Sequence, residues 1–299
     1  MNEGFEINLE NRKNGSESVK MFTPMGICHC EEVTCVTNET IQPIKTVNGK
    51  INRIASYSLA MMRKCAFTLA EVLITLGIIG VVAAMTLPTL IANYQKHVTV
   101  NRLKQTYSIL YQAIRMSENE NGLLETWDIP NTGLGSNTYT YGKTFFEQYL
   151  KPYIKVVKEC KYLSNECWAD EYIRPNGNIS SYSSASSNHT YTLVLSNGSV
   201  IGFWLRGSWS EIYVDLNGKK GPNKYGKDFF IIIIAKTLLN DYAGYFTKSG
   251  LYMYGQGKDR TELISGEYGC SKTATTYAGT YCGALIMHDN WKIAPDYPW

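Results

Sequence analysis

The longest apolar run in the chain lies between two charged residues, Glu71 and Lys96. Positions 72–95 carry 24 residues without a formal charge, and Leu, Ile, Val, Ala and Met dominate as far as Ala92. About 20 such residues cross a bilayer as a helix, so the pattern predicts a membrane-spanning helix. A cleaved secretory signal is the alternative, because "VVAAM" imitates a cleavage site. However, such signals have a shorter apolar region, and this one continues through "TLPTLIANY".

The apolar pattern narrows after the span to single positions at spacings of 3, 4, 3 and 4. These positions are Val100, Leu103, Tyr107, Leu110 and Ile114. The spacing predicts an amphipathic helix. Because no Pro or Gly follows Pro88 before this segment, we predict one helix over 67–119, about 80 Å long. Its spanning part, about 67–92, requires lipid or further copies of itself, whereas the amphipathic part requires a domain on one face.

Residues 120–299 are predicted to form that covering domain. The segment "YTLVLSNGSVIGFWL" predicts a hairpin, because Asn-Gly between two apolar runs favours a tight turn. "EIYVDL" and "FFIIIIAK" predict two more strands around a long glycine-rich turn. "KTFFEQYLKPYIKVVKEC" predicts a short helix broken near Pro152, and 180–190 a polar loop. The expected fold class is α+β, with the second half of the long helix packed on a small antiparallel sheet.

Composition narrows the function classes. The chain has 299 residues and a formal net charge of +3, too small to indicate nucleic acid or an acidic substrate by itself. Its four histidines show no metal or triad spacing, and it contains no P-loop and no dinucleotide fingerprint. The sequence therefore predicts no enzymatic activity and no cofactor.

Residues 1–66 precede the span and are interpreted as a leader. The first 60 are polar and lack periodicity, whereas a start at Met61 or Met62 would leave a short basic leader. We interpret 1–60 as a disordered leader or as an upstream extension included by a mis-called start. This leader contains a cluster of residue types that bind metals: Cys28, His29, Cys30 and Cys35. No second ligand pair with zinc spacing accompanies the cluster.

A short motif stands at the entrance of the span. Its residues are Ala66, Phe67, Thr68, Leu69, Ala70 and Glu71, after the basic pair Arg63 and Lys64. Pro88 follows Phe67 by 21 residues. This pattern resembles the type IV prepilin family, which includes the pseudopilins of type II secretion, although the family usually has Gly at the position of Ala66. The resemblance implies cleavage between Ala66 and Phe67, methylation of the new amino group of Phe67, and a pilin-like fold.

The resemblance also implies a life cycle and partners. The precursor would be a single-pass protein of the inner membrane, with its leader cytoplasmic and its head outside, and it would polymerise into a pilus or pseudopilus. Its partners would be a prepilin peptidase and methyltransferase, other pilin or pseudopilin subunits, an inner-membrane assembly platform and membrane lipid. A membrane-anchored binding protein or receptor that does not polymerise is the alternative class.

Glu71 and Pro88 are the candidate assembly residues. A carboxylate at bilayer depth is costly and is usually paired. The resemblance implies that Glu71 meets the Phe67 amine of its own chain and of a neighbouring subunit; the alternative is a carboxylate at the interface, close to the headgroups. Pro removes one helical hydrogen bond. The resemblance implies a helix that kinks or melts near Pro88, whereas an ordinary membrane-helix proline is the alternative.

Four cysteines lie in the predicted exported part: Cys160, Cys167, Cys270 and Cys282. An even number in close pairs is typical of proteins in an oxidising compartment. We favour the local pairs Cys160–Cys167 and Cys270–Cys282, although four cysteines allow three pairings.

The turn "DLNGKKGPNKYGKD" is a weak candidate for calcium. Asp215, Asn217 and Asp228 offer oxygen ligands, but the EF-hand pattern fails because Gly218 comes too early and the terminal Glu is missing. Four lysines in or near the same turn would repel a cation: Lys219, Lys220, Lys224 and Lys227. The favoured interpretation is a plain glycine-rich turn, with calcium, and contact of the basic loop with DNA, as lesser alternatives.

Overall fold

The computed structural model describes residues 68–132, 136–162, 166–180 and 190–299. The predictions that concern the leader, the cysteine–histidine cluster and the cleavage residues Ala66 and Phe67 lie outside the described residues. Most of the predicted polar loop, 181–189, lies outside them as well.

One helix, α1, runs without interruption over Leu69–Asn121 and includes Pro88. It continues two residues beyond the predicted end, and it stops where Gly122 takes a φ of 79°. Glycine adopts such a conformation without steric cost and commonly ends helices. Within the described part of the chain, α1 is the one helix long and apolar enough to cross a membrane, and its most apolar stretch is entirely unburied.

The second half of α1 is covered on one face, as the spacing predicted. Its buried residues are Thr99, Val100, Leu103, Thr106, Leu110, Ala113, Ile114 and Ser117. Polar contacts reinforce this packing, because the Tyr107 hydroxyl donates to the Leu251 carbonyl at 2.8 Å, and the hydroxyls of Thr106 and Ser199 lie 2.9 Å apart. The helix therefore passes from an uncovered apolar half to a half that is anchored on the head.

The head contains an antiparallel sheet of six strands in the order β1-β2-β3-β4-β5-β8. The strands are β1 (Val156–Glu159), β2 (Tyr191–Leu195), β3 (Val200–Trp204), β4 (Trp209–Asp215), β5 (Phe229–Ala235) and β8 (Gly250–Met253). A separate hairpin of β6 (Leu239–Asp241) and β7 (Gly244–Phe246) is inserted before β8. The α+β prediction is confirmed, as are the hairpin of β2 and β3 and the pair of β4 and β5.

Short helices complete the head. A 3₁₀ turn (Leu124–Thr126) follows α1, and α2 (Ser136–Phe145) continues as a π-helical turn (Phe146–Leu150). This element ends just before Pro152, in agreement with the predicted break. The C-terminal part carries α3 (Arg260–Ile264) and α4 (Cys282–His288). Sequence patterns did not predict β1, β6, β7, β8, α3 or α4.

Helices α1, α2 and α4 lie on one side of the sheet, which we call the helix side. The rings of Phe145 and Phe146 lie 5.9 and 6.0 Å from the ring of Phe203 in β3. Helix α4 approaches so closely at Gly283 that an added Cβ would lie 3.1 Å from the Met253 sulfur. On this side of β4 and β5, five apolar residues are each at most 2% exposed: Ile212, Val214, Phe230, Ile232 and Ile234.

The opposite side of the sheet, the outer side, is covered by loops rather than by helices. The rings of Trp168 and Tyr172 pack on Phe229 with centroids 6.1 and 4.6 Å away. Two carboxylates of β4, Glu211 and Asp215, are buried there. The outer side is therefore a polar and aromatic layer, in contrast to the helix side.

Two cysteine pairs hold peripheral segments to this core. The sulfurs of Cys160 and Cys167 lie 1.94 Å apart, and those of Cys270 and Cys282 lie 1.97 Å apart. These are the two local pairs that the sequence favoured. The second pair joins the segment after α3 to the first residue of α4, with both cysteines fully buried.

Loss of the second pair should destabilise the C-terminal part of the head. Closing a loop of about a dozen residues restricts the unfolded chain by roughly 3 kcal/mol. We expect Cys282→Ser to lower the free energy of unfolding by about this amount and to speed proteolysis. The Cys270→Ser/Cys282→Ser double variant should be at least as stable as Cys282→Ser, because it also removes the free thiol that the single variant leaves at Cys270. Free thiols at both positions in the unreduced, denatured wild-type protein would contradict the pairing.

Candidate functional site

Glu71 closes the first turn of α1 through a reciprocal pair of hydrogen bonds with Thr68. The Thr68 hydroxyl oxygen accepts from the Glu71 N–H at 3.2 Å. In return, Glu71 Oε2 accepts from the Thr68 N–H and from its hydroxyl, both at 2.8 Å. This capping box satisfies donors that no helical carbonyl can reach. The positive end of the helix dipole favours the carboxylate at the same position.

The same geometry places the carboxylate beside the predicted new N-terminus. Thr68 is the residue after Phe67 in the chain, so an amine created at Phe67 would stand one residue from the partner of Glu71. Only Oε2 is engaged, and Oε1 makes no hydrogen bond among the residues that the structure describes. A second interaction of this carboxylate is therefore compatible with the intact cap.

Pro88 lies inside the uncovered half of α1 and leaves a gap in its hydrogen-bond ladder. Proline has no N–H, so the carbonyl four residues earlier, at Ala84, loses its helical donor. The neighbouring hydroxyl of Thr86 does not fill this gap, because it donates to the Val82 carbonyl at 3.0 Å. The segment 84–88 therefore lacks one helical hydrogen bond, although the helix is continuous there.

The calcium candidates are brought together, and Asp215 serves the turn that follows β4. Asp215 Oδ1 accepts from the N–H groups of Asn217 and Gly218 at 3.0 and 2.8 Å, and Oδ2 accepts from the Tyr172 hydroxyl at 2.5 Å. Both of its oxygens are thus occupied. Asp228 closes the far end of the same turn, where its Oδ2 accepts from the Lys224 N–H at 3.3 Å.

These contacts fit the plain turn that the sequence favoured. Two acceptor atoms of the turn, Asn217 Oδ1 and Asn223 Oδ1, are buried without a hydrogen-bond partner in the part of the chain that the structure describes. These two amide oxygens are the additional ligands that the turn could provide to a cation, besides its carboxylates. The calcium hypothesis is not tested by these contacts and stays a prediction.

Sequence reasoning missed a small polar pocket on the outer side, with a volume of about 200 Å³. Glu211 lines this pocket, and its Oε1 is 3.4 Å from Arg206 Nη1. The guanidinium of Arg206 stacks on Trp204 and Trp209, 4.8 and 4.2 Å from their ring centres. Burial raises the pKa of Glu211 to about 6. The charged residues of the pocket, Arg174, Arg206 and Glu211, do not form a sequence motif. The one local signal in the sequence is the series of tyrosines in the C-terminal part, several of which line the pocket.

Two family models match the chain. Residues 89–299 match a family described as "Family of unknown function (DUF6613)", and residues 61–87 match the "Prokaryotic N-terminal methylation motif". The second match covers the motif on which the resemblance to type IV prepilins rests, so that prediction is confirmed. Searches among curated proteins and among solved structures found no match.

Asp215 should make the stability of the head depend on pH. Burial raises its pKa to about 7, despite its three hydrogen bonds, whereas an unfolded Asp titrates near about 3.9. The folded chain therefore holds a proton that the unfolded chain has lost between about pH 4 and pH 7. This contribution to the free energy of unfolding falls as pH rises through that window and is constant above it.

Asp215→Asn tests this effect, because the amide keeps an acceptor for the two turn N–H groups but does not titrate. We expect melting temperatures at about pH 5 and pH 8, measured in one detergent, to differ less in the variant than in the wild type. Asp128→Asn is the matched control, because Asp128 is exposed. An unchanged pH dependence in Asp215→Asn would contradict the assignment.

Proposed function

The chain belongs to the family of unknown function DUF6613. Because residues 61–87 match the prokaryotic N-terminal methylation motif, we propose that the protein is a structural subunit of a pilus or of a type II secretion-like pseudopilus. The observation that carries the proposal is the continuity of α1. One unbroken helix joins the methylation motif to the core of the head. The proposal includes no catalytic activity for this chain.

Processing begins the proposed cycle. The precursor inserts into the inner membrane with its leader in the cytoplasm, and a prepilin peptidase cuts between Ala66 and Phe67. The same enzyme methylates the amino group of Phe67. What remains is a subunit with an apolar stem, formed by the uncovered half of α1, and a head outside the membrane.

During assembly, the apolar stem moves from lipid to contact with other subunits. The apolar half of α1 has no covering within the described chain, so on leaving lipid it must pack on other copies or on related subunits. The capping geometry allows Glu71 to hold its own first turn through Oε2 while Oε1 meets the amine of a neighbour. A subunit in the wrong register would leave both charges unpaired in an apolar medium, which is expensive.

A membrane-anchored binding protein that does not polymerise is the second candidate. The outer-side pocket, with its buried Glu211 and stacked Arg206, favours it, because a few polar groups among aromatic rings are typical of ligand sites. An anchored receptor would need the span but not the methylation motif. The two candidates therefore differ in one expectation: a pilus subunit requires cleavage and Glu71 for assembly, whereas an anchored receptor requires neither.

Processing is tested at Ala66. Ala66→Phe should block cleavage, because the peptidase must accept a small side chain beside the scissile bond, whereas Ala66→Gly should be cleaved like the wild type. Mass spectrometry of the wild-type mature protein should find N-methyl-Phe67 as its first residue. A mature chain that begins elsewhere, for example after Ala84, would overturn the prepilin assignment.

Assembly is tested at Glu71. Glu71→Leu should leave insertion and cleavage intact but abolish filaments, because the amine of the neighbour loses its partner. Glu71→Asp should be intermediate, with its charge kept and its reach shortened. The measurement is the distribution of mature protein between membranes and sheared filaments.

Glu71→Gln separates capping from charge. Gln supports a capping box as Glu does, but it carries no charge. We expect Glu71→Gln to fail in assembly like Glu71→Leu. Filaments from Glu71→Gln would show that Glu71 acts only as a cap, and filaments from all three variants would remove its pairing role. Cleaved wild-type protein that stays in membranes and is absent from sheared filaments would favour the non-polymerising candidate.

A further inference from the structure

The head meets α1 almost at once after the span ends. The apolar run ends at Ala92, and the Thr99 hydroxyl already donates to the Lys227 carbonyl at 3.2 Å. Seven helical residues correspond to about 10 Å along the axis. An inserted α1 therefore holds this edge of the head within the headgroup layer of the membrane.

This edge, which we call the basic rim, carries cations and two tryptophans: Lys96, Arg102, Lys104, Lys224, Lys227, Lys272, Lys292, Trp291 and Trp299. The Nζ atoms of Lys96 and Lys227 lie 6.0 and 4.6 Å from the ring centre of Trp299. On the other flank of α1, Lys104 Nζ lies 5.9 Å from the ring centre of Trp291. The rim thus combines Lys or Arg with partly exposed indole rings.

In the described ranges of the chain, the rim cations are not neutralised by ion pairs with acids. Positions 72–117 of the helix contain no acidic residue. Among the residues that the structure describes, none of the rim cations has a carboxylate within ion-pair distance. The nearby carboxyl group of Asp228 is buried and accepts from a backbone N–H. Burial and the charges of neighbouring lysines lower the pKa of Lys227.

Two clefts flank α1 at this level. One, of about 550 Å³, is lined by Tyr94, Arg102, Lys227 and Trp299 among others. The other, of about 380 Å³, includes Lys96, His97, Trp291 and Lys292 in its lining. Each cleft is open at the side of the helix, is large enough for a lipid headgroup, and offers cations together with an aromatic ring.

We propose that the basic rim binds the phosphate groups of anionic phospholipids in the leaflet from which α1 emerges. Trp and Tyr concentrate at membrane interfaces, and Lys or Arg close to an anionic membrane surface is attracted to it. Lipid is preferred over other occupants because the covalent helix keeps the rim at the bilayer surface. The inference rests on the membrane anchoring of the proposed function and does not depend on polymerisation.

The tryptophans provide the readout. The span contains no Trp, and Trp127, Trp168, Trp204 and Trp209 are at most 8% exposed, so lipid quenchers should reach mainly Trp291 and Trp299. The full chain is reconstituted in nanodiscs of phosphatidylcholine or of a mixture with phosphatidylglycerol, each with lipid brominated near the headgroup. We expect at least twofold more quenching in the anionic discs, and we expect high salt to remove the difference.

Matched variants assign the effect to the rim. Lys96→Gln/Lys104→Gln/Lys227→Gln should abolish the dependence on lipid charge without changing reconstitution. The control is a triple variant of exposed lysines outside the rim, Lys143→Gln/Lys151→Gln/Lys158→Gln, which changes the net charge by the same amount. This control variant should keep the dependence on lipid charge. Trp291→Phe/Trp299→Phe should remove the quenched signal.

The outcomes separate this inference from the proposed function. A chain that does not enter discs of either composition overturns the membrane anchoring and the inference with it. A chain that enters and is quenched equally in both compositions overturns the inference alone. Oligomers that depend on the three rim lysines, without any effect of lipid charge, would overturn it in favour of contact between copies.

Discussion

One helix has to satisfy two environments, and the rest of the structure follows from this constraint. The first half of α1 is apolar all round, while the second half is buried on one face only. The hydrophobic effect therefore requires lipid or another subunit around the first half and a sheet against the second. The helix side of the sheet meets this demand with a mainly apolar layer, and the two buried carboxylates of β4 lie on the outer side.

The outer side shows how buried charge is accommodated. Asp215 is fully buried but receives three hydrogen bonds, which offset part of the cost of removing a carboxylate from water. Glu211 is partnered by Arg206, which itself lies between two indole rings. If the helix side faces the axis of a filament, the loops that cover this polar layer are the part of the subunit that other molecules can reach.

The elements that the sequence predicted well are those with a strong local signal. Asn197-Gly198 between two apolar runs defined the hairpin, and its register pairs Val194 with Val200. The apolar period on α1 likewise matched the buried face. The alternation in β4 is typical of a half-exposed strand, yet Glu211 and Asp215 are buried, because loops distant in sequence cover them. Such coverage has no local signature, and neither has the meeting of Lys227 with Trp299.

The gap at Ala84 and Pro88 has a mechanical consequence. Beyond Pro88, α1 continues for 33 residues, which corresponds to a rigid arm of about 50 Å. A bend of about 20° at the proline would swing the far end of this arm sideways by about 17 Å. Because the sheet is fastened along the arm, the whole head would move with it. A subunit could thus lean to accommodate its neighbours by giving up one turn of helix, while every contact inside its head stayed unchanged.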